Sequence, residues 1–222
     1  MNKIKIIGFD ADDTLWVNEP VYHRAEDKLK KILSNYINDC DIESEQYKTE
    51  VKNIKLFGYG VKGFTLSMIE TATRLTEGRI TSTEIMKIID LGKEMLQTPI
   101  ELIDDVESVL QELSGNYKLI VATKGDLLDQ RKKLMASGLE KYFDHIEVMS
   151  EKDPKSYERL LTNLNIAPEQ FIMIGNSMRS DVLSVLEMGS NAIHVPYKTT
   201  WKREQVDSEV MNKYDFHSVK SI

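Results

Sequence analysis

The chain has 222 residues, one cysteine and a formal net charge of −7. That length suits an α/β domain with an insertion, or two small domains. The negative charge argues against non-specific binding to nucleic acid or to an anionic membrane, and the single Cys40 allows no disulfide within the chain and no thiolate zinc cluster. No stretch approaches the ~20 apolar residues of a membrane helix. The first apolar run, broken by Lys5 and followed at once by acids, is not that of a signal peptide. A protein of the reducing cytoplasm is expected.

The isoleucine-rich run at 4–9 stops abruptly at Asp10, Asp12, Asp13 and Thr14. So short an apolar run suits a buried parallel strand better than a helix. Open α/β sheets bind ligands outside the carboxyl ends of their strands. Three acids crowded at such an end call for a positive partner. A metal ion, with one acid as a covalent nucleophile, is the first hypothesis.

Pro20 opens a helix, and Val21, Ala25, Leu29, Ile32, Leu33 and Tyr36 keep helical spacing over 21–37. A second helix is expected over 44–57, with Val51, Ile54 and Phe57 on one side. Three glycines at 58–63 then read as a loop. A third helix covers 64–75 and stops by Gly78. Thr81 or Ser82 caps a fourth, to about 97. These four helices can form a small bundle of their own.

From Pro99 the pattern changes. Asp104, with Glu107 three residues later, is expected to cap a helix carrying Val106, Val109, Leu110 and Leu113 as its apolar stripe. Strands are expected at 117–122, 145–149, 171–175 and 191–195. Helices alternate with them: one closes at Gly138, one opens at Asp153-Pro154, and one runs over 180–188. Alternation of this kind predicts a Rossmann-like parallel sheet of about five strands with right-handed crossovers. The domain expectation is an α/β core from 1–18 and 98–222, interrupted by a helical cap at 19–97. The polar tail from Trp201 onward receives no role.

Four strand ends carry polar residues. Asp10, Asp12 and Thr14 follow the first and Thr123 the second. Lys152, with Lys155 close behind, follows the third, and Asn176, Ser177 and Asp181 follow the fourth. In a parallel sheet these ends share one edge. Oxygen ligands, a hydroxyl and an ammonium in one place suit Mg²⁺ and a phosphoryl group. Between the two lysines, Lys152 is preferred because it lies nearer its strand. Tyr59 and Lys62, in the glycine-rich loop, are candidates for substrate contact, with an exposed hinge loop as the alternative.

In these motifs the chain resembles the haloacid dehalogenase (HAD) superfamily, and within it the phosphatases whose helical (C1) cap follows the first motif. D-x-D-x-T is matched by Asp10, Asp12 and Thr14, the second-strand hydroxyl by Thr123, and the lysine by Lys152 or Lys155. The G-D-x-x-x-x-D motif is matched by Gly175, Asn176 and Asp181. The resemblance covers about 1–18 and 98–197; the cap matches only by position and helical character.

The resemblance implies a Mg²⁺-dependent hydrolase of small phosphate esters. Asp10 would be the nucleophile, Asp12 the acid and base, and Thr123 and Lys152 the holders of the phosphoryl group. Asp10, Asp12, Asn176 and Asp181 would surround the metal, and Thr14 would support the turn. Dehalogenases of the superfamily lack a second acid at the Asp12 position, so its presence favours phosphoryl transfer. Two positions depart from the family pattern. Asp13 stands where glycine is frequent and is expected to face solvent. Asn176 replaces an acid, keeping an oxygen but losing a charge. A phosphomutase of the same fold, or a non-catalytic binding protein, are the rival readings; Asn176 favours the latter, while Asp10, Asp12, Thr123 and the lysine oppose it. The sequence names neither the ester nor the oligomeric state.

Overall fold

The computed structural model describes residues 4–37 and 41–222; Cys40 lies outside them. The chain divides into two compact units. One comprises Met1–Glu19, Ile100–Lys124 and Gln130–Ile222; the other comprises Pro20–Pro99 together with Gly125–Asp129. That last short segment, expected within the α/β part, groups instead with the helices.

In the first unit, Ile6–Phe9 (β1) is buried along its whole length, as a central strand covered on both faces must be. Lys118–Lys124 (β2) pairs on one side of it and Phe171–Gly175 (β4) on the other. His145–Met149 (β3) pairs with β2, and Asn191–His194 (β5) with β4. The order is β3-β2-β1-β4-β5-β6, all parallel. The sixth strand, His217–Ser218 (β6), was not expected. Two residues with no apolar alternation leave no trace of a strand in the sequence.

Successive β1 side chains point to opposite faces. Ile6 joins Ile120, Phe171 and Met173 in one apolar layer, while Ile7 and Phe9 join Leu119 and Val121 in the other. Gly8 has no room for a side chain, since a Cβ there would lie 2.6 Å from the Phe171 ring. Strand order runs outward from β1 in one direction through β2 and β3, then in the other through β4 and β5. The switch point therefore falls between β1 and β4, where such sheets open a crevice for ligands. Phe9 pairs with both Val121 and Ile174, so the residues after β1, β2 and β4 emerge at one edge.

The helices of this unit are Val106–Ser114 (α5), Leu127–Ser137 (α6), most of which belongs here, and Pro154–Leu164 (α7). Asp153 caps α7 by accepting the Ser156 N–H at 2.8 Å. The expected Asp104–Glu107 box does not form. Asp105 is the N-cap of α5, in a left-handed conformation (φ 65°) and without a side-chain cap bond. That shift by one residue places Glu107 too early in the helix to reach back. The helix expected at 180–188 begins earlier, as a π-helical turn Met178–Leu183, followed by the short helix Ser184–Leu186.

The second unit holds Glu19–Leu33 (α1), Ile42–Phe57 (α2), Val61–Leu75 (α3) and Ser82–Gln97 (α4). Leu29, Leu33, Phe64, Met68, Ala72 and Ile88 form its core. Thr81 and Glu84 cap α4 reciprocally. The expected apolar side of α2 is not the buried one: Gln46, Thr49 and Asn53 are buried, while Phe57 is half exposed. Asn53 Nδ2 donates to Ser67 Oγ at 3.2 Å and Glu70 Oε2 at 2.8 Å. The buried side of that helix is thus partly polar, which apolar periodicity cannot reveal. Among the described residues no helix is long and apolar enough to cross a membrane.

Candidate active site

Asp10 follows β1 and is anchored by its own N–H, which donates to Ile174 O of β4 at 2.9 Å. Its carboxylate is buried. Thr14, one turn on, places its hydroxyl 3.3 Å from Asp10 Oδ2 and 3.3 Å from Asn176 Oδ1, and accepts the Asn176 N–H at 3.1 Å. The first and fourth motifs are thus tied through one hydroxyl.

Lys152 is buried, and its ammonium donates to Asp10 Oδ1 and, at 2.6 Å, to Asp181 Oδ1. The second Asp181 oxygen accepts the Ser177 N–H at 2.9 Å. Gly175 makes this possible, because a Cβ there would collide with the Asp181 carboxyl group. Burial works against the Lys152 charge, but Asp10 and Asp181 more than offset it and hold the ammonium above lysine's ordinary value. Burial pushes Asp10 up to about 7; Lys152 opposes that rise and Asp181 adds to it. Two buried acids thus share one ammonium.

Asp12 is oriented differently. Its Oδ1 accepts from Trp16 Nε1 at 2.8 Å and Lys133 Nζ at 3.0 Å, and its Oδ2 from Gln130 Nε2 at 2.8 Å. Lys133 also donates to Asn18 Oδ1 at 2.9 Å, and Gln130 to Lys124 O at 2.8 Å. Asp13 does not face solvent. It is 6 % exposed and accepts the N–H groups of Asn18 at 2.8 Å and Glu19 at 3.0 Å, closing the turn before α1. Its φ of 61° explains why glycine suits this position and why aspartate is tolerated. Burial pushes its carboxyl up to about 7, against the Asn18 hydrogen bond.

The family model of haloacid dehalogenase-like hydrolases matches residues 4–189. The chain belongs to that family. A haloacid dehalogenase-like family hydrolase from Xanthomonas campestris superposes with a TM-score of 0.84 at 45% identity, covering 90% of this chain and 84% of that one. A glyceraldehyde 3-phosphate phosphatase of Methanothermobacter thermautotrophicus is 32% identical over 211 residues, 89% of this chain and 88% of that protein. An N-acylneuraminate-9-phosphatase of Mus musculus is 23% identical over 203 residues, 86% of this chain and 82% of that protein.

As a haloacid dehalogenase-like hydrolase, the chain brings Asp10, Thr14, Lys152, Asn176 and Asp181 into one hydrogen-bonded cluster. Lys155 is exposed on the first turn of α7 and lies outside it. Thr123 is buried at the end of β2, its hydroxyl donating to Lys124 O at 3.3 Å. Tyr59 and Lys62 belong to the helical unit. There Lys62 Nζ lies 2.9 Å from the Asp126 carboxylate, and Tyr59 lines a water-sized recess with Glu50 and Phe64.

Asp10, Asp181 and Asn176 offer hard oxygens, and the two acids share a single ammonium. That set fits Mg²⁺, which takes one or two carboxylates and completes its shell with water and substrate oxygens. Among the described residues no three His, Cys, Asp or Glu side chains form a metal-binding group. The Asp12 carboxylate, expected in the donor set, is instead engaged by Trp16, Gln130 and Lys133. The sequence reading missed Gln130 and Lys133. Their spacing of three along α6 places them on one helix face, but nothing local ties that face to Asp12.

Proposed function

We propose that this hydrolase is a phosphatase acting on a small phosphorylated metabolite, with Mg²⁺ as cofactor and Asp10 as covalent nucleophile. The observation that carries the reading is the buried Asp10–Lys152–Asp181 cluster at the switch point of the sheet. The relatives named as phosphatases of glyceraldehyde 3-phosphate and of an N-acylneuraminate 9-phosphate agree with it. Both names describe small phosphate esters, and a chain with net charge −7 suits such a substrate better than nucleic acid. Residues 19–97 are assigned as the cap domain of this hydrolase.

In this reading Asp10, Asp181 and Asn176 would hold Mg²⁺, which would supply the positive charge that lets two anions meet. An Asp10 carboxylate oxygen attacks phosphorus. The P–O bond to the leaving group breaks as the Asp10–phosphorus bond forms. Asp12 delivers its proton to the departing oxygen, then takes one from the water that attacks the aspartyl-phosphate. That attack releases inorganic phosphate and restores the Asp10 carboxylate. Trp16, Gln130 and Lys133 orient Asp12 for both transfers; general acid–base help of this kind contributes about 10²–10⁴-fold in rate. Lys152 and Thr123 are assigned to stabilise the phosphoryl oxygens.

The test is hydrolysis of a phosphomonoester panel with and without Mg²⁺, beside Asp10→Asn. Release of phosphate from at least one ester, dependent on Mg²⁺ and lost in Asp10→Asn, is expected. Full activity in Asp10→Asn would sink the mechanism, and a product phosphorylated at a new position would replace hydrolysis by a mutase reaction.

A further inference from the structure

The family match stops at residue 189, yet beyond it the chain returns to the polar edge of the sheet with one buried acid. Glu204 is 8 % exposed, at the end of the 3₁₀ turn Lys202–Glu204. A carboxylate so far from water needs partners. Its Oε1 accepts from Lys124 Nζ at 2.5 Å, and its Oε2 accepts from the hydroxyls of Ser180, at 2.6 Å, and Ser177. Lys124 Nζ also donates to Ser180 Oγ at 2.9 Å. The lysine's charge and these bonds outweigh burial and hold the Glu204 carboxyl well below its ordinary value.

Both serines belong to the fourth motif. Ser177 Oγ accepts the Ser180 N–H at 3.0 Å and so starts the π-helical turn. A serine hydroxyl has one proton. Giving it to Glu204 turns the oxygen's lone pairs toward the Ser180 N–H. The Ser177 N–H in turn holds Asp181 Oδ2 at 2.9 Å, and Asp181 Oδ1 holds Lys152 at 2.6 Å. A continuous chain of bonds runs from Glu204 through Ser177, Asp181 and Lys152 to Asp10. Lys124 follows Thr123 directly, and its carbonyl accepts from the Gln130 amide that holds Asp12. Glu204 therefore touches the supports of both acids without touching either.

We infer that Glu204 is a positioning residue of this hydrolase: by fixing Ser177 and Ser180 it holds the turn that presents Asp181 to Lys152 and Asp10. Only the kinetic consequence rests on the phosphatase reading; the structural one does not.

The experiment compares Glu204→Ala and Glu204→Gln with Phe216→Ala, a truncation in the same C-terminal segment at a ring packed on the sheet's apolar layer. Amide hydrogen exchange over 177–183 is measured in variants that melt cooperatively. Steady-state hydrolysis of p-nitrophenyl phosphate in Mg²⁺ is measured alongside. In Glu204→Ala, exchange there is expected to be at least about tenfold faster, and kcat about 10–100-fold lower with KM changed less than about threefold. Glu204→Gln, which keeps an acceptor of the same length, recovers part of both losses, and Phe216→Ala shows neither. If Glu204→Ala does not fold, Glu204→Gln must show the same two effects at smaller size. Unchanged exchange over 177–183, or an equal effect in Phe216→Ala, overturns the inference. A wild-type protein that hydrolyses no ester defeats the phosphatase reading, and the exchange data then judge this inference alone.

Discussion

Lys152 Nζ lies 2.6 Å from Asp181 Oδ1 and also contacts Asp10 Oδ1, with the lysine and Asp181 side chains each 1 % exposed. One ammonium serves two buried carboxylates, so the three residues are not equivalent energetically. Replacing Lys152 by methionine strands two acids side by side. A loss of about 3–5 kcal/mol at neutral pH is expected, as for other broken buried pairs. Asp181→Asn leaves one acid with one ammonium and is expected to cost under about 1 kcal/mol while abolishing turnover. Urea denaturation of the two variants checks the asymmetry; equal losses would show that the lysine does not carry both acids.

The three donors on Asp12 make a second prediction. Lys133→Met and Gln130→Ala each remove one bond to a carboxylate that must keep its aim through two proton transfers. Each is expected to lower kcat by about tenfold and leave KM within about twofold. Steady-state kinetics on any accepted phosphomonoester tests this. A rise in KM at constant kcat would assign both residues to substrate binding instead.

Two buried acids give opposite dependences of stability on pH. Burial raises Asp13 from 3.8 to about 7. The folded state therefore binds this proton more tightly, and the Asp13 contribution to stability declines as pH rises from about 3.8 to about 7. Glu204 is lowered from 4.5 to about 2, burial being outweighed by Lys124 and the two serines. Its contribution is present in full above 4.5 and is lost as pH falls towards about 2. The Asp13 effect amounts to about 4 kcal/mol across its window and the Glu204 effect to about 3 kcal/mol. Asn at position 13 keeps the acceptor and tolerates the positive φ, so Asp13→Asn should gain on the wild type from pH 4 to pH 7. Glu204→Gln should be least stable relative to wild type at neutral pH and converge with it in acid. Chemical denaturation across that range checks both signs.

Three strands were legible because each carries apolar residues, in a run or in alternation, up to a polar residue. Ile6–Phe9, His145–Met149 and Phe171–Gly175 fall where the hydrophobic pattern puts them. The same pattern marked Asp10, Lys152 and Asp181, since parallel strands end on one edge. Periodicity reports which residues avoid water; it does not report which polar residues are withdrawn from it with a partner. That is why α2 buries Thr49 and Asn53, and why Asp13 is buried although it stands among acids.

Alternation of strand and helix, and the motifs at four strand ends, are properties of the chain itself; they set the parallel sheet and named the acids, hydroxyls and lysine of the candidate site. The division of labour among them was decided in three dimensions. Asp12 meets Lys133 across 121 residues, Lys152 meets Asp10 across 142, and Glu204 reaches Lys124 across 80. Such pairs depend on which strands become neighbours and how each turn aims its side chains. Local propensity carries no record of either, so a tail read as featureless came to support the fourth motif.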